Sequence, residues 1–155
     1  MLYDKEIVEL FLMTIKKEGS IHLPAQGSSM YPFIKNGEIC SFNECDPIHL
    51  KKGDIVLFYA SSNRLIAHRY YKELKDGQRR QYLFKGDTNI CFDEAIYREQ
   101  MVGKLVYVQK RKYKLLVSGF LARTWAGLIL AIPFLTGILR KCLNIQQRLK
   151  GSRSQ

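Results

Sequence analysis

Paired cysteines, metal-ligand spacings, repeats and acidic residues are what this 155-residue sequence lacks or has little of. Its four cysteines, Cys40, Cys45, Cys91 and Cys142, form no CxxC pair and no His/Cys cluster at zinc spacing, so the sequence offers no metal site and implies no cofactor. In the absence of a secretory signal such scattered cysteines read as free thiols. Met1 to Lys17 holds Asp4, Glu6 and Glu9 and no long uncharged apolar run, which excludes a signal-peptide reading of that stretch. No internal repeat or low-complexity segment interrupts the chain, and its length suits one domain with an appendage.

Acid is scarce as well. Fourteen Asp and Glu stand against 25 Lys and Arg, a net charge of +11 that suits either nucleic acid or an anionic membrane surface. The placement of the bases decides between them. Lys110-Arg111-Lys112-Tyr113-Lys114, Arg140-Lys141 and the cluster from Arg148 to Arg153 bracket the most apolar part of the chain, which favours lipid and gives no expectation of nucleic acid.

That apolar part runs from Trp125 to Leu139, and Leu115 to Phe120 extends it upstream across Arg123. A bilayer span takes about 20 apolar residues, more than the clean part supplies. Pro133 with Gly119, Gly127 and Gly137 invites a kink or a hairpin. A buried core helix, a single span, a re-entrant hairpin and an in-plane helix all fit the pattern; the flanking bases favour a membrane-associated segment over 113–155.

At the other end, Leu2, Ile7, Leu10, Phe11 and Ile15 recur at helical spacing opposite Asp4, Lys5, Glu9, Lys16 and Lys17, and Gly19 follows as a stop. The spacing predicts an amphipathic helix over 1–19, either packed on the body of the domain or lying in a membrane plane. Between these ends the period is that of strands and turns. Ile21 to Pro24, Glu38 to Phe42, Ile55 to Tyr59, Leu65 to Tyr71, Gln81 to Lys85 and Val102 to Gln109 read as strands, with turns at Asn36-Gly37, Lys52-Gly53-Asp54, Ser61-Ser62-Asn63 and Asp76-Gly77, and Gly103 as a bend. The expected fold class is mainly β, with the β-rich domain over 20–112.

The chemistry centres on Gly27-Ser28-Ser29-Met30-Tyr31-Pro32-Phe33. Pro32 fixes its own φ and restricts Tyr31, so the Ser29 hydroxyl sits on a stiffened loop. A serine-rich loop is ordinarily only a turn. A serine nucleophile needs a base within reach and a third group to orient it. His68, mid-strand in Ile66-Ala67-His68-Arg69-Tyr70, is the candidate base, and Asp87 and Asp93, on and just past a glycine turn, are the candidate carboxylates.

Taken together, Gly-Ser-Ser29-Met-Tyr-Pro-Phe-Ile-Lys-Asn-Gly-Glu, Lys-Gly-Asp54-Ile-Val-Leu-Phe, Ile-Ala-His68-Arg-Tyr, Leu-Phe-Lys-Gly-Asp87-Thr-Asn-Ile-Cys-Phe-Asp93 and Val-Gly103-Lys resemble the ordered boxes of the type I signal peptidases, over roughly Ala25 to Val108. That family shares a β-rich catalytic core with the self-cleaving LexA-type repressors. Ala-His68-Arg resembles its histidine branch, found in endoplasmic-reticulum, archaeal and sporulation-type enzymes, rather than the lysine branch. The resemblance implies Ser29 as nucleophile, His68 as general base, Asp93 as the carboxylate on the imidazole and Asp87 as a second required carboxylate, structural or shared. It also implies cleavage after small residues, with Met30, Pro32 and Phe33 beside an extended peptide or preprotein substrate. Gly27 stands where many signal peptidases carry an oxyanion-stabilising serine, Glu38 stands where Asp is usual, and the apolar segment lies at the C-terminal end instead of the N-terminal one.

The reading is therefore a membrane-associated serine endopeptidase acting on signal or leader peptides. A LexA-type self-cleaving regulator has too few residues before Ser29 for a DNA-binding domain and no Ala-Gly cleavage pair upstream. An inactive basic module binding lipid or nucleic acid has no physical reason to retain Ser29, His68, Asp87 and Asp93 together.

Overall fold

The computed structural model describes residues 5–151 apart from position 63. Leu2 and Asp4 of the N-terminal pattern, Asn63 of the third turn and Arg153 of the last basic cluster lie outside the described residues. Within them the fold is mainly β, one antiparallel sheet joined by three helices.

Helix α1, Lys5–Glu18, buries Val8 and Ile15 against the sheet and leaves Ile7, Leu10 and Met13 exposed. It stops where expected. Gly19 takes φ +77°, a conformation that costs a Cβ-bearing residue, and returns its N–H to the Ile15 carbonyl at 2.8 Å.

The strands are β1 (Ser20–Pro24), β2 (Ile39–Asn43), β3 (Ile55–Ala60), β4 (Arg64–Asp76), β5 (Arg79–Lys85), β6 (Ile96–Tyr97), β7 (Met101–Gln109) and β8 (Lys114–Leu116). They are ordered β1-β2-β7-β3-β4-β5-β6, with β8 on β7. Both β3 and β8 pair along the edge of β7 that β2 leaves free.

Two features differ from the sequence reading and one sharpens it. Strand β4 runs past Tyr71 to Asp76, because a register shift between Tyr70 and Lys72 breaks the alternation that marks its first half. Gly103, read as a bend, lies inside β7 beside a register shift against β3 that skips Val102; a Cβ there would meet the Asn43 carbonyl at 2.9 Å, so the position also serves close approach of β7 to β2. Leu115 and Leu116, read as the upstream end of the apolar segment, belong to a strand, Lys114–Leu116, that carries the sheet four residues past position 112.

Alternation along β3 builds the core on two faces. Ile55 and Leu57 join Met30, Phe33, Ile34, Phe42, Val102 and Leu105 on one; Val56 and Phe58 join Tyr82, Phe84, Ile96 and Met101 on the other.

Helix α2, Phe120–Ala131, presses Ala122, Ala126 and Ile129 inward, and α3, Pro133–Gly151, follows after a break at Ile132. Among the described residues no single helix is long and apolar enough to cross a membrane; α2 and α3 reach that composition only as a pair, and they are bent by 104°. Proline at the start of α3 has no N–H to continue the α2 ladder, which accounts for the break.

Candidate active site

Strand β4 places the imidazole. Residues Arg64–His68 pair with β3, whereas β5 begins pairing only at Arg69, so the first half of β4 presents one unpaired edge. His68 ends that half, 4 % exposed, with its ring edge-on to Phe58. The Ser29 loop comes to this edge from β1.

Ser29 Oγ lies 2.8 Å from His68 Nε2, and His68 Nδ1 lies 2.6 Å from Asp93 Oδ2. A carboxylate only accepts hydrogen bonds, so Nδ1 carries the proton and donates to Asp93; in the neutral ring Nε2 is then free to accept the Ser29 hydroxyl. Of the two carboxylates left open by the sequence, Asp93 is the one on the imidazole. Its own N–H donates to the Phe84 carbonyl at 2.9 Å, which ties the loop after β5 back to the sheet.

Asp87 faces elsewhere. It is 1 % exposed, accepts from Arg69 Nε at 2.7 Å on Oδ1, and from Arg69 Nη2 at 3.0 Å and Trp125 Nε1 at 2.9 Å on Oδ2. Consecutive strand residues point to opposite faces, so Arg69 must leave β4 on the side away from His68. A guanidinium fully buried in a strand requires a partner, and the two-pronged ion pair with Asp87 supplies it. Arg69 also donates to the Gly53 carbonyl at 3.1 Å and covers the Phe33 ring, its carbon 4.8 Å from the centroid.

The segment between the carboxylates holds the Ser29 loop. Thr88 donates its N–H to the Ser29 carbonyl at 2.9 Å, and its hydroxyl lies 3.2 Å from the carbonyls of Ser28 and Ser29. Gly86 backs the imidazole: a Cβ there would sit 2.9 Å from His68 Nε2. Downstream, Lys110 Nζ reaches the Phe33 carbonyl and the Glu38 carboxylate, each at 2.6 Å, closing the far end of the loop. The glutamate at 38 thus has a structural partner of its own.

Beside Ser29 and His68 opens a cleft of about 590 Å³, lined by Leu23 and Ala25 leaving β1, by Met30 and Ile34, and by Leu65 and Ala67 on the open edge of β4. Of the three residues expected to touch substrate, Met30 lines it, and Pro32 and Phe33 do not. The reason is local winding. Ile34 N–H bonds the Met30 carbonyl at 2.8 Å, a single helical turn that sets Met30 and Ile34 on one side and leaves Phe33 to pack beneath Arg69. Tyr31–Pro32, a cis peptide, lies within that turn.

Sequence reasoning passed over Arg69, Thr88 and Trp125. Arg69 carried a signal, a charge inside an otherwise apolar strand; Trp125 carried none, since its partner lies 38 residues away. Among the described residues no group of three His, Cys, Asp or Glu converges as a metal site. Compared with known proteins, the chain matches no family model, no curated protein and no solved structure.

Proposed function

We propose that the protein is a membrane-associated serine endopeptidase of the signal-peptidase and LexA type, cutting a signal or leader peptide after a small residue. The observation that carries this reading is the continuous relay Ser29–His68–Asp93 at the mouth of a cleft whose lining mixes polar and apolar residues.

An extended peptide adds to the open edge of β4, where main-chain groups of Arg64–His68 have no strand partner on that side. Ser29 Oγ attacks the scissile carbonyl as His68 Nε2 takes its proton, and the Asp93 carboxylate stabilises the imidazolium that forms. The Ser29 N–H, which meets no acceptor among the described residues, faces the developing oxyanion; one such donor contributes about 3 kcal/mol in comparable sites. Collapse of the tetrahedral intermediate breaks the C–N bond, and His68 returns the proton to the leaving amine. Water, activated by the same imidazole, then releases the acyl group from Ser29. Met30, Ile34, Leu65 and Ala67 line the cleft beside the hydroxyl, and the preference for a small residue is what the signal-peptidase resemblance implies.

The outer faces of α2 and α3 support the membrane part of the proposal. Phe120, Leu121 and Phe134 are each at least three-quarters exposed, and Ile145 and Leu149 more than half. Arg140, Lys141 and Arg148 accompany them on α3. Apolar residues beside bases match an anionic lipid surface.

The test is cleavage, followed by mass spectrometry, of peptides bearing small residues before the scissile bond, with detergent-solubilised wild type beside Ser29→Ala, His68→Ala and Asp93→Asn. Cutting by wild type that each change abolishes supports the proposal. Equal cutting by Ser29→Ala, or none by wild type, overturns it.

A further inference from the structure

We infer that Trp125 is a positioning residue, through which helix α2 sets the geometry of Ser29 and His68 without touching either. For its kinetic readout this rests on the peptidase reading above; its spectroscopic readout does not.

The carboxylate of Asp87 receives three N–H donors, two from Arg69 on β4 and one from Trp125 on α2. With the side chain 1 % exposed, water offers no substitute for a lost donor. Asp87 is also the middle residue of the segment that holds the catalytic pair: Gly86 on one side is in contact with the space of His68 Nε2, and Thr88 on the other bonds the Ser29 carbonyl. A shift of Asp87 therefore moves both the backstop of the base and the support of the nucleophile.

A second contact runs parallel to the first. Gly53 holds φ +97° in the turn before β3, and a Cβ there would meet Ala126 Cβ at 2.9 Å, so α2 lies directly against this turn. The Gly53 carbonyl accepts from Arg69 Nη1, and its N–H donates to the Tyr70 carbonyl at 2.9 Å. Adjacent residues of α2, Trp125 and Ala126, thus engage both halves of the Arg69–Asp87 pair. Neither of them lines the cleft. Substrate binding and catalytic geometry are therefore separable here: disturbing Trp125 lowers turnover and spares affinity.

Trp125 is the only tryptophan in the sequence, which permits a clean experiment. Growth of a tryptophan auxotroph on benzothienylalanine replaces that one indole with a ring of the same shape that has no N–H. Packing is retained and the bond to Asp87 is deleted. The expected result is a fall in kcat of about tenfold with KM unchanged within about twofold, the signature of an interaction felt only during the reaction. In parallel, the His68 Nδ1 proton bonded to Asp93 gives a low-field NMR resonance, which shifts or broadens in the substituted protein. Trp125→Phe produces the same changes with a lower Tm, since packing is lost too.

A substituted protein with wild-type kcat and an unmoved His68 resonance overturns the inference, as does a rise in KM that accounts for the whole loss. Should wild type cleave no peptide, the proposed function fails and the resonance alone decides: movement on substitution sustains the positioning role, and an identical resonance ends it.

Discussion

The two faces of β4 use the same kind of side chain for opposite work. On one, Asp93 meets an imidazole at 2.6 Å; on the other, Asp87 meets a guanidinium at 2.7 Å. Both carboxylates come from the segment after β5, and their partners are neighbours in sequence, sent apart by the alternation of a strand. The difference lies in what opposes each. A neutral imidazole donates from one ring nitrogen and accepts at the other, so the Asp93 pair continues to Ser29; a guanidinium only donates, so the Asp87 pair is a fixed bolt.

Exchanging each carboxylate for its amide breaks the comparison most sharply. Under the proposed function, Asp93→Asn lowers the rate of peptide cleavage by about 10⁴-fold, the size seen when a Ser-His-Asp triad loses its tautomer control, and leaves Tm nearly unchanged. Asp87→Asn instead strands a buried guanidinium and destabilises the fold by about 3–5 kcal/mol, read as a fall in the urea midpoint. If the two changes gave the same profile, the division of labour between the faces would be wrong.

A smaller effect tests the segment that joins them. Gly86→Ala drives a methyl to within 2.9 Å of His68 Nε2. Misplacement on the scale of an ångström costs about 100-fold in rate. Cleavage falls accordingly, while the Arg69–Asp87 side of the sheet stays intact and the urea midpoint moves little.

The smallest expected effect contrasts the sheet with its surroundings through its thiols. Burial first, then the Glu38 charge, pushes the Cys40 thiol up to about 12, and burial pushes Cys45 up to about 11. Both therefore stay protonated and unreactive to Ellman's reagent at pH 8, whereas exposed Cys91 and Cys142 react at once. Because the folded values lie above the unfolded one of about 8.5, the stability they contribute is complete below that pH and is lost as pH rises through the folded values. Chemical melts at pH 8 and pH 10 should show the loss, and Cys40→Ala should reduce it.

The strands were legible because local chemistry writes them. Gly19 ends α1 at Glu18, and the β-branched run Ile55 to Tyr59 becomes β3 within a residue. Where local signals were weak the reading stopped short: β6 is two residues long, and Lys114–Leu116 is a strand only because β7 has an edge for it. Ser29, His68 and Asp93 were named in advance and are together in space. That Arg69 leaves β4 on the face opposite His68 followed from strand alternation and was there to be read; that Asp87 meets it there is a tertiary contact. The turn that removes Phe33 from the cleft, and the indole that meets Asp87, depend on tertiary contacts that no spacing records.

The bond from Trp125 to Asp87 carries a temporal consequence. During synthesis the chain emerges in order, so every strand of the sheet, with Ser29, His68 and Asp93, leaves the ribosome before Trp125 does. A nascent chain that has already paired its strands still lacks the third donor of the buried carboxylate. Under the positioning role inferred for that indole and the proposed peptidase activity, full turnover arrives only when α2 has emerged and docked, later than every strand of the sheet.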